Sequence, residues 1–464
     1  MRKALILLAL TALTPPLVAK ADTAQHPQAE EQALTLAEKA IALRSVAGPG
    51  NQTPQVAALF RSTLIAGGFQ AKDITITPFG DTAYMTARWP GSDPSLKPVV
   101  ISGHMDVVEA KPADWQRDPF KPVVENGYLF GRGATDMKLD AALVIASLIE
   151  LKREGYTPRR DIILALSGDE ETAMETGKIL ADKLSNADLV LNGDVGVGIL
   201  DEKTGKPDYY SWEGAEKTYA DFRMTVTNPG GHSSEPRADN AIDRLAAALL
   251  RIQKYQFRPE LNALSKSYFT SAAQFQPAKI ATAMRNFAAN PASQSAIATL
   301  SADPALIGKI GTTCVVTMIN GGHALNALPQ SATANINCRI FPGHPRSAIM
   351  AELEKAAADP DVHFSDVTQG SVETEASPMR PDFTQAVEKA MHGIHPGLPV
   401  FPGMTSGASD SMWFRNHHVP SYSISPVFLK PSENFSHGLN ERTPVAAIGP
   451  AIDFYLSLLP DLSH

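Results

Sequence analysis

Three consecutive acids, Asp169, Glu170 and Glu171, follow an apolar run from Ile162 to Leu166 that breaks at Ser167-Gly168. A run of this length between turn residues predicts a buried parallel strand, which puts the acids at its C-terminal edge. Open α/β sheets carry their chemistry there. Adjacent carboxylates repel, so they need a nearby positive charge, and a metal that takes one while its neighbour stays free as a base meets that need. A solvated acidic turn would use the same residues differently, with Glu170 and Glu171 favouring the N-terminus of the next helix.

Four further segments supply what the acids require. His104-Met105-Asp106 follows the strand-like run Val99–Ile101, so His104 and Asp106 can face one side, the pairing by which an aspartate holds a metal-binding imidazole. Asp136 lies in GRGATDMK, whose glycines permit a tight turn before a helix, and a helix N-cap would use an aspartate in the same way. Asp194 follows another apolar run in VLNGDVG, and His437 sits among polar turn residues in ENFSHGLNER, where a surface histidine is equally at home.

In this order and spacing the residues resemble the two-zinc metallopeptidase family that contains aminoacylase-1, glutamate carboxypeptidase, succinyl-diaminopimelate desuccinylase, peptidase T, peptidase V and carnosinase. The resemblance covers nearly the whole mature chain. It implies that His104, Asp136 and Asp194 hold one zinc and that Asp136, Glu171 and His437 hold the other, with Asp136 bridging them. Cobalt or manganese would suit the same mixed imidazole and carboxylate donors. Asp106 would brace His104, the peptide after Asp136 would be cis, and Glu170 would accept the proton of the water that such a metal pair activates.

The resemblance extends to a lid. His232 in NPGGHSS matches the family's lid histidine, an oxyanion donor that reaches the site from the partner subunit in dimeric members, so a homodimer through the lid is expected. Asn326 in GGHALNALP and Arg339 in NINCRIFPG match the lid asparagine and arginine, the latter able to clamp a substrate carboxylate. Ser406-Gly407 in TSGASD resembles the glycine-rich substrate loop, with Asp410 structuring it; His323, His417 and His418 receive no role. Aspartate at the Asp194 position resembles the aminopeptidase and dipeptidase members, whereas deacylases and carboxypeptidases tend to have glutamate. The implied substrate is therefore a dipeptide or short peptide, with an N-acyl amino acid or a carboxypeptidase substrate as the alternative. An inactive binding module of the same fold is disfavoured because every ligand position and Glu170 are present.

The elements that must hold these residues follow from periodicity. Helical spacing over 30–67, strands at 73–76, 83–89 and 99–101, a helix over 138–154 and the strand at 162–166 argue for a mostly parallel sheet flanked by helices. From about 217 the order becomes β-α-β-β-α-β, interrupted by a polar, alanine-rich insertion at about 254–309. That order is a two-layer lid inserted into the larger domain. The domains expected are a catalytic domain in two parts, 22–216 and 373–464, and a lid, 217–372. The insertion is closer in length to the larger lids of the dipeptidase group, and extensions of that kind can take the place of a partner.

The chain has 464 residues and a formal charge of −8. With no basic tract to neutralise phosphates, it is not a nucleic-acid binder. Arg2 and Lys3, a short apolar run and Ala19-Lys20-Ala21 form a secretory signal over residues 1–21. Removing them takes away Arg2, Lys3 and Lys20 and no acid, which moves the charge to −11. Export is expected, to the periplasm or beyond, with no other stretch apolar enough to span a membrane. Cys314 and Cys338 are too few for a thiolate metal site, but their strand-like runs could pair and permit one bridge.

Overall fold

The computed structural model describes residues 25–194 and 198–464, so the signal segment expected over 1–21 lies outside the described residues. At its centre four parallel strands lie in the spatial order Ile162–Ser167, Val99–His104, Leu189–Asn192 and Ser421–Ser423. Their C-terminal ends face one edge, and that edge carries the acids after Ser167, His104 itself and Asp194. Thr82–Trp89 and Ile74–Phe79 extend the sheet antiparallel on one flank, and Pro207–Glu216 continues it antiparallel on the other. The helix Lys138–Arg153 buries every residue from 138 to 151, because it is enclosed by the sheet and by the helices Pro27–Ile41 and Ile448–Leu462. This explains why its sequence lacks a polar stripe.

The lid is a four-stranded antiparallel sheet in the order Thr313–Gly321, Ser331–Ile340, Thr218–Thr227, Val362–Asp366. Alternate residues, including Phe222, Met224, Ile336 and Ile340, point to one face and form a core with the helices Ala241–Lys254 and Arg346–Ala357. Asn240 starts the first of these helices by accepting the Ile242 N–H at 2.9 Å. Cys314 and Cys338 are directly opposite on neighbouring strands and form a disulfide, the bridge the sequence left open.

Two features differ from the sequence reading. The alanine-rich insertion is a set of short helices between Ala263 and Ile307, and its core is completed by Tyr209 and Phe401 of the catalytic domain. Aromatic contacts fix that docking, with Tyr209 stacked on Phe401 at 4.9 Å and close to Phe275 at 5.0 Å. The insertion thus leaves the edge strand Thr313–Gly321 uncovered, with Val315, Val316, Met318 and Ile319 exposed. Secondly, the segment Val445–Leu462 is long and apolar enough to cross a membrane, with mean hydropathy 1.3, contrary to the expectation that no such stretch exists. Ile448, Ile452, Phe454, Tyr455, Leu458 and Leu459 are buried in the main core, which accounts for the apolar composition.

Candidate active site

His104 ends the central strand and is 1% exposed. The Met137 side chain packs against the preceding glycine, where a Cβ at Gly103 would lie 2.4 Å from its Cε. His104 Nε2 faces Asp136 Oδ1 at 3.0 Å and Asp194 Oδ1 at 3.4 Å, while Nδ1 lies 3.1 Å from the Asp106 carbonyl and 3.5 Å from its carboxylate. The Asp106 carboxylate has a second task. Its oxygens accept the main-chain N–H groups of Glu170 and Glu171, each at 3.1 Å, so one residue ties the histidine strand to the acidic loop.

Asp136 is the shared element. Its second oxygen, Oδ2, lies 3.2 Å from His437 Nε2, which is also 3.0 Å from Glu171 Oε2. The Asp136–Met137 peptide is cis, as the resemblance implied. Donor atoms of His104, Asp136 and Glu171 lie within 4.8 Å of one another, as do those of His104, Glu170 and Asp194. Glu170 therefore sits within reach of the same centre as the ligand candidates. His437 closes the group at the rim, 55% exposed.

Burial and charge act strongly on these groups. Burial pushes the Asp194 carboxyl up to about 6 and raises Glu170 well above the usual carboxylate range, with the neighbouring acids adding to both shifts. Burial opposes protonation of His104, but Asp194, Asp106 and Asp136 outweigh it and raise its pKa. Hydrogen bonds to Asp136 and Glu171 lift His437 to about 10. Charge on Asp194 and Glu170 is thus penalised by burial and by neighbouring acids, a penalty that a divalent cation beside them would offset. Two imidazoles and several carboxylates at these separations fit divalent metal ions of the zinc type.

One supporting residue escaped the sequence reading. Glu441 is fully buried, and its Oε1 accepts the N–H groups of Gly133, Thr135 and Asp136 at 3.1, 2.7 and 3.0 Å. Its other oxygen pairs with Arg132 at 2.5 Å, so Glu441 fixes the turn that presents Asp136. The only sequence signal was an acid four residues after His437. Asp410, assigned to structuring its loop, accepts the Ser167 hydroxyl at 2.5 Å at the end of the acidic strand, and burial raises it to about 8.

The lid residues are not gathered into this group. His232 is exposed on a short strand and Asn326 is exposed in the turn before its partner strand Ala327–Leu328, with the His232 ring held at 2.7 Å from the Ser234 hydroxyl and the Asn326 carbonyl accepting Ser233 N–H. Arg339 is half-buried over the Tyr219 ring at 4.9 Å. Ser406 is half-buried and Gly407 exposed, on a loop buttressed by the insertion through Lys309, which donates to the Met404 carbonyl at 2.8 Å. Among the described residues, no hydrogen bond or ion pair links His232, Asn326, Arg339, Ser406 or Gly407 to the His104 centre.

Residues 100–461 match the family described as Peptidase family M20/M25/M40. The chain belongs to that family. It is 29% identical over 381 residues to an N-fatty-acyl-amino acid synthase/hydrolase of Xenopus tropicalis, spanning 80% of this chain and 73% of that protein. Among solved structures, an M20 family metallo-carboxypeptidase from Sulfolobus solfataricus superposes with TM-score 0.69 at 17% identity, covering 92% of this chain and 99% of that one. A di-peptidase from Saccharomyces cerevisiae gives TM-score 0.66 at 16% identity, covering 94% and 97%. The structural likenesses establish the M20 fold. With the family match they make the chain a hydrolase of peptide or amide bonds in a metal-dependent family.

Proposed function

We propose that this chain is a two-zinc amidohydrolase that releases an amino acid with a free carboxylate from an N-acyl amino acid. The observation that carries the reaction is the placement of Asp136 between two imidazoles, with Glu171, Asp194 and Glu170 on the remaining sides. His104, Asp136 and Asp194 would hold one ion, and Asp136, Glu171 and His437 the other. When bound, such ions polarise the amide carbonyl and lower the pKa of the attacking water. Glu170 takes that water's proton on its carboxylate and delivers it to the leaving amine. Asp106 and Glu441 keep the acidic loop and the Asp136 turn in place.

The substrate class draws on the Xenopus tropicalis relative, which matches 80% of the chain and is named for N-fatty-acyl-amino acids. A dipeptide is the second reading, favoured by aspartate rather than glutamate at position 194. Both substrates present a carboxylate, for which Arg339 is the proposed clamp; they differ in whether the acyl side carries a charged amine.

The uncovered lid edge, with Val315, Met318 and Ile319 exposed and Ile242 and Leu250 exposed on the adjoining helix, supports a homodimer through the lid. In such a dimer the exposed His232 is free to serve as the oxyanion donor of the other subunit's site, with Asn326, Ser406 and Gly407 contacting substrate. The basic and apolar leader supports export to the periplasm. The substrate assignment is tested by comparing N-acyl amino acids with dipeptides of the same C-terminal residue. Higher kcat/KM for the acyl series upholds it, and preference for the free dipeptides transfers it to the second reading.

A further inference from the structure

The helix-free face of the lid sheet carries two cations beside the junction with the catalytic domain. Lys217 directly follows Glu216, whose carboxylate is anchored by Arg415 at 2.8 Å and by the Ser409 hydroxyl at 2.8 Å. Ser409 accepts from the Asn192 side chain at 3.1 Å, and Asn192 Oδ1 accepts the Asp194 N–H at 2.9 Å. A short run of hydrogen-bonded residues thus connects the start of the lid to the metal-ligand candidate Asp194.

Tyr219, Arg339 and Thr313 are opposite one another on three adjacent strands and so share a face; Lys217, two residues before Tyr219, shares it too. Lys217 is fully buried, and among the described residues its ammonium has one side-chain partner, the Thr313 hydroxyl at 3.0 Å. The Arg339 guanidinium lies over the Tyr219 ring and, among the described residues, makes no hydrogen bond or ion pair. Asp221 offsets part of its charge, but that carboxylate is already bonded to Asn335 and Asn337 at 2.7 and 3.1 Å and to the Tyr219 hydroxyl.

A buried ammonium that shares a sheet face with a guanidinium, with no carboxylate in ion-pair contact among the described residues, opposes folding. Burial, reinforced by the Arg339 charge, brings the Lys217 pKa down to about 7, and burial also lowers that of Arg339. An anion between them would offset both penalties.

We propose that Lys217 is a specificity residue which, with Arg339, forms a two-cation pocket at the base of the lid for the free carboxylate of the substrate's amino-acid half. Arg339 presents a planar fork to the carboxylate oxygens, and Lys217, oriented by Thr313, supplies a further donor and the second charge. The identity of the anion rests on the amidohydrolase reading; the pocket itself rests on the two unpaired cations.

The test compares zinc-loaded wild type, Lys217→Met and Lys217→Arg on N-acetyl-L-amino acids and their primary carboxamides. The scissile bond is the same in both, and only one carries the anion. Lys217→Met should lower the kcat/KM ratio of acid to carboxamide by about 10–100-fold, mainly through KM, and Lys217→Arg should retain most of the ratio. An unchanged ratio in Lys217→Met overturns the proposal. If neither substrate turns over in the wild type, thermal shifts with the same compounds decide. Stabilisation of wild type by the acid but not the carboxamide, lost in Lys217→Met, upholds the pocket while the activity reading fails. Equal stabilisation of both proteins overturns the pocket. Lys217→Gln replaces the methionine variant if that variant does not fold.

Discussion

The catalytic edge and the lid face treat their charged residues in opposite ways. At the edge, His104, Asp106, Asp136, Glu171 and His437 contact one another at 3.0–3.5 Å, and Glu441 and Asp410 hold the loops that carry them. On the lid, His232 and Asn326 are exposed, and Lys217 and Arg339 share a face with no acid in ion-pair contact among the described residues. The first region is arranged before substrate arrives, as a site must be if its donors are to act without reorganising. On the proposals above, the second would be completed from outside the single chain, by a substrate anion at Arg339 and Lys217 and by a neighbouring subunit at His232. Preorganisation thus sits with the chemistry, and incompleteness sits with recognition.

Substitutions should separate the two regions. Glu170→Gln should lower kcat by about 10²–10⁴-fold while bound metal, measured by elemental analysis, stays unchanged. Normal turnover would remove Glu170 from the mechanism. His232→Ala should lower kcat by about 10²–10³-fold if the histidine donates to the oxyanion. A change confined to KM would make it a substrate contact and weaken the contrast between the regions. Glu441→Gln should weaken metal affinity by about 10–100-fold, with activity recovered by excess metal, because it loosens the turn carrying Asp136 without removing a ligand. Unaltered affinity would show that the turn holds without it.

The smallest effect concerns pH. Lys217 has its folded pKa lowered to about 7 from an ordinary 10.5, so between these values the unfolded chain binds a proton that the folded chain does not. Its destabilising effect is therefore complete below about pH 7 and fades as pH rises toward about 10.5. Lys217→Met should exceed the wild type in Tm by the largest margin at the acidic end, with the margin closing in alkali. A margin independent of pH would show that this lysine is not held uncompensated.

Most of the catalytic edge was legible in sequence because His104, Glu171 and Asp194 follow apolar runs, whose ends a parallel sheet sends to one side, and Asp136 follows a glycine turn; His437, among polar turn residues, came only from the resemblance. Glu441 was not legible in the same way. Its partners are the main-chain N–H groups of Gly133, Thr135 and Asp136, more than 300 positions earlier, and no periodicity records such a contact. The docking of the insertion was hidden for a related reason. Its alanines and aromatics predict helices with an apolar side, but which surface receives that side depends on Tyr209 and Phe401, which are ordinary strand residues until the sheet forms. The apolar segment 445–462 shows the converse limit, since composition alone does not separate a core helix from a membrane span.

The most direct measurement is hydrolysis of N-acyl amino acids by metal-analysed mature protein, before chelation, after chelation, and after zinc is returned. The account predicts two bound ions per chain, turnover lost on chelation and restored by zinc. Turnover that survives complete removal of metal would contradict it, as would a fully loaded protein that cleaves neither N-acyl amino acids nor dipeptides.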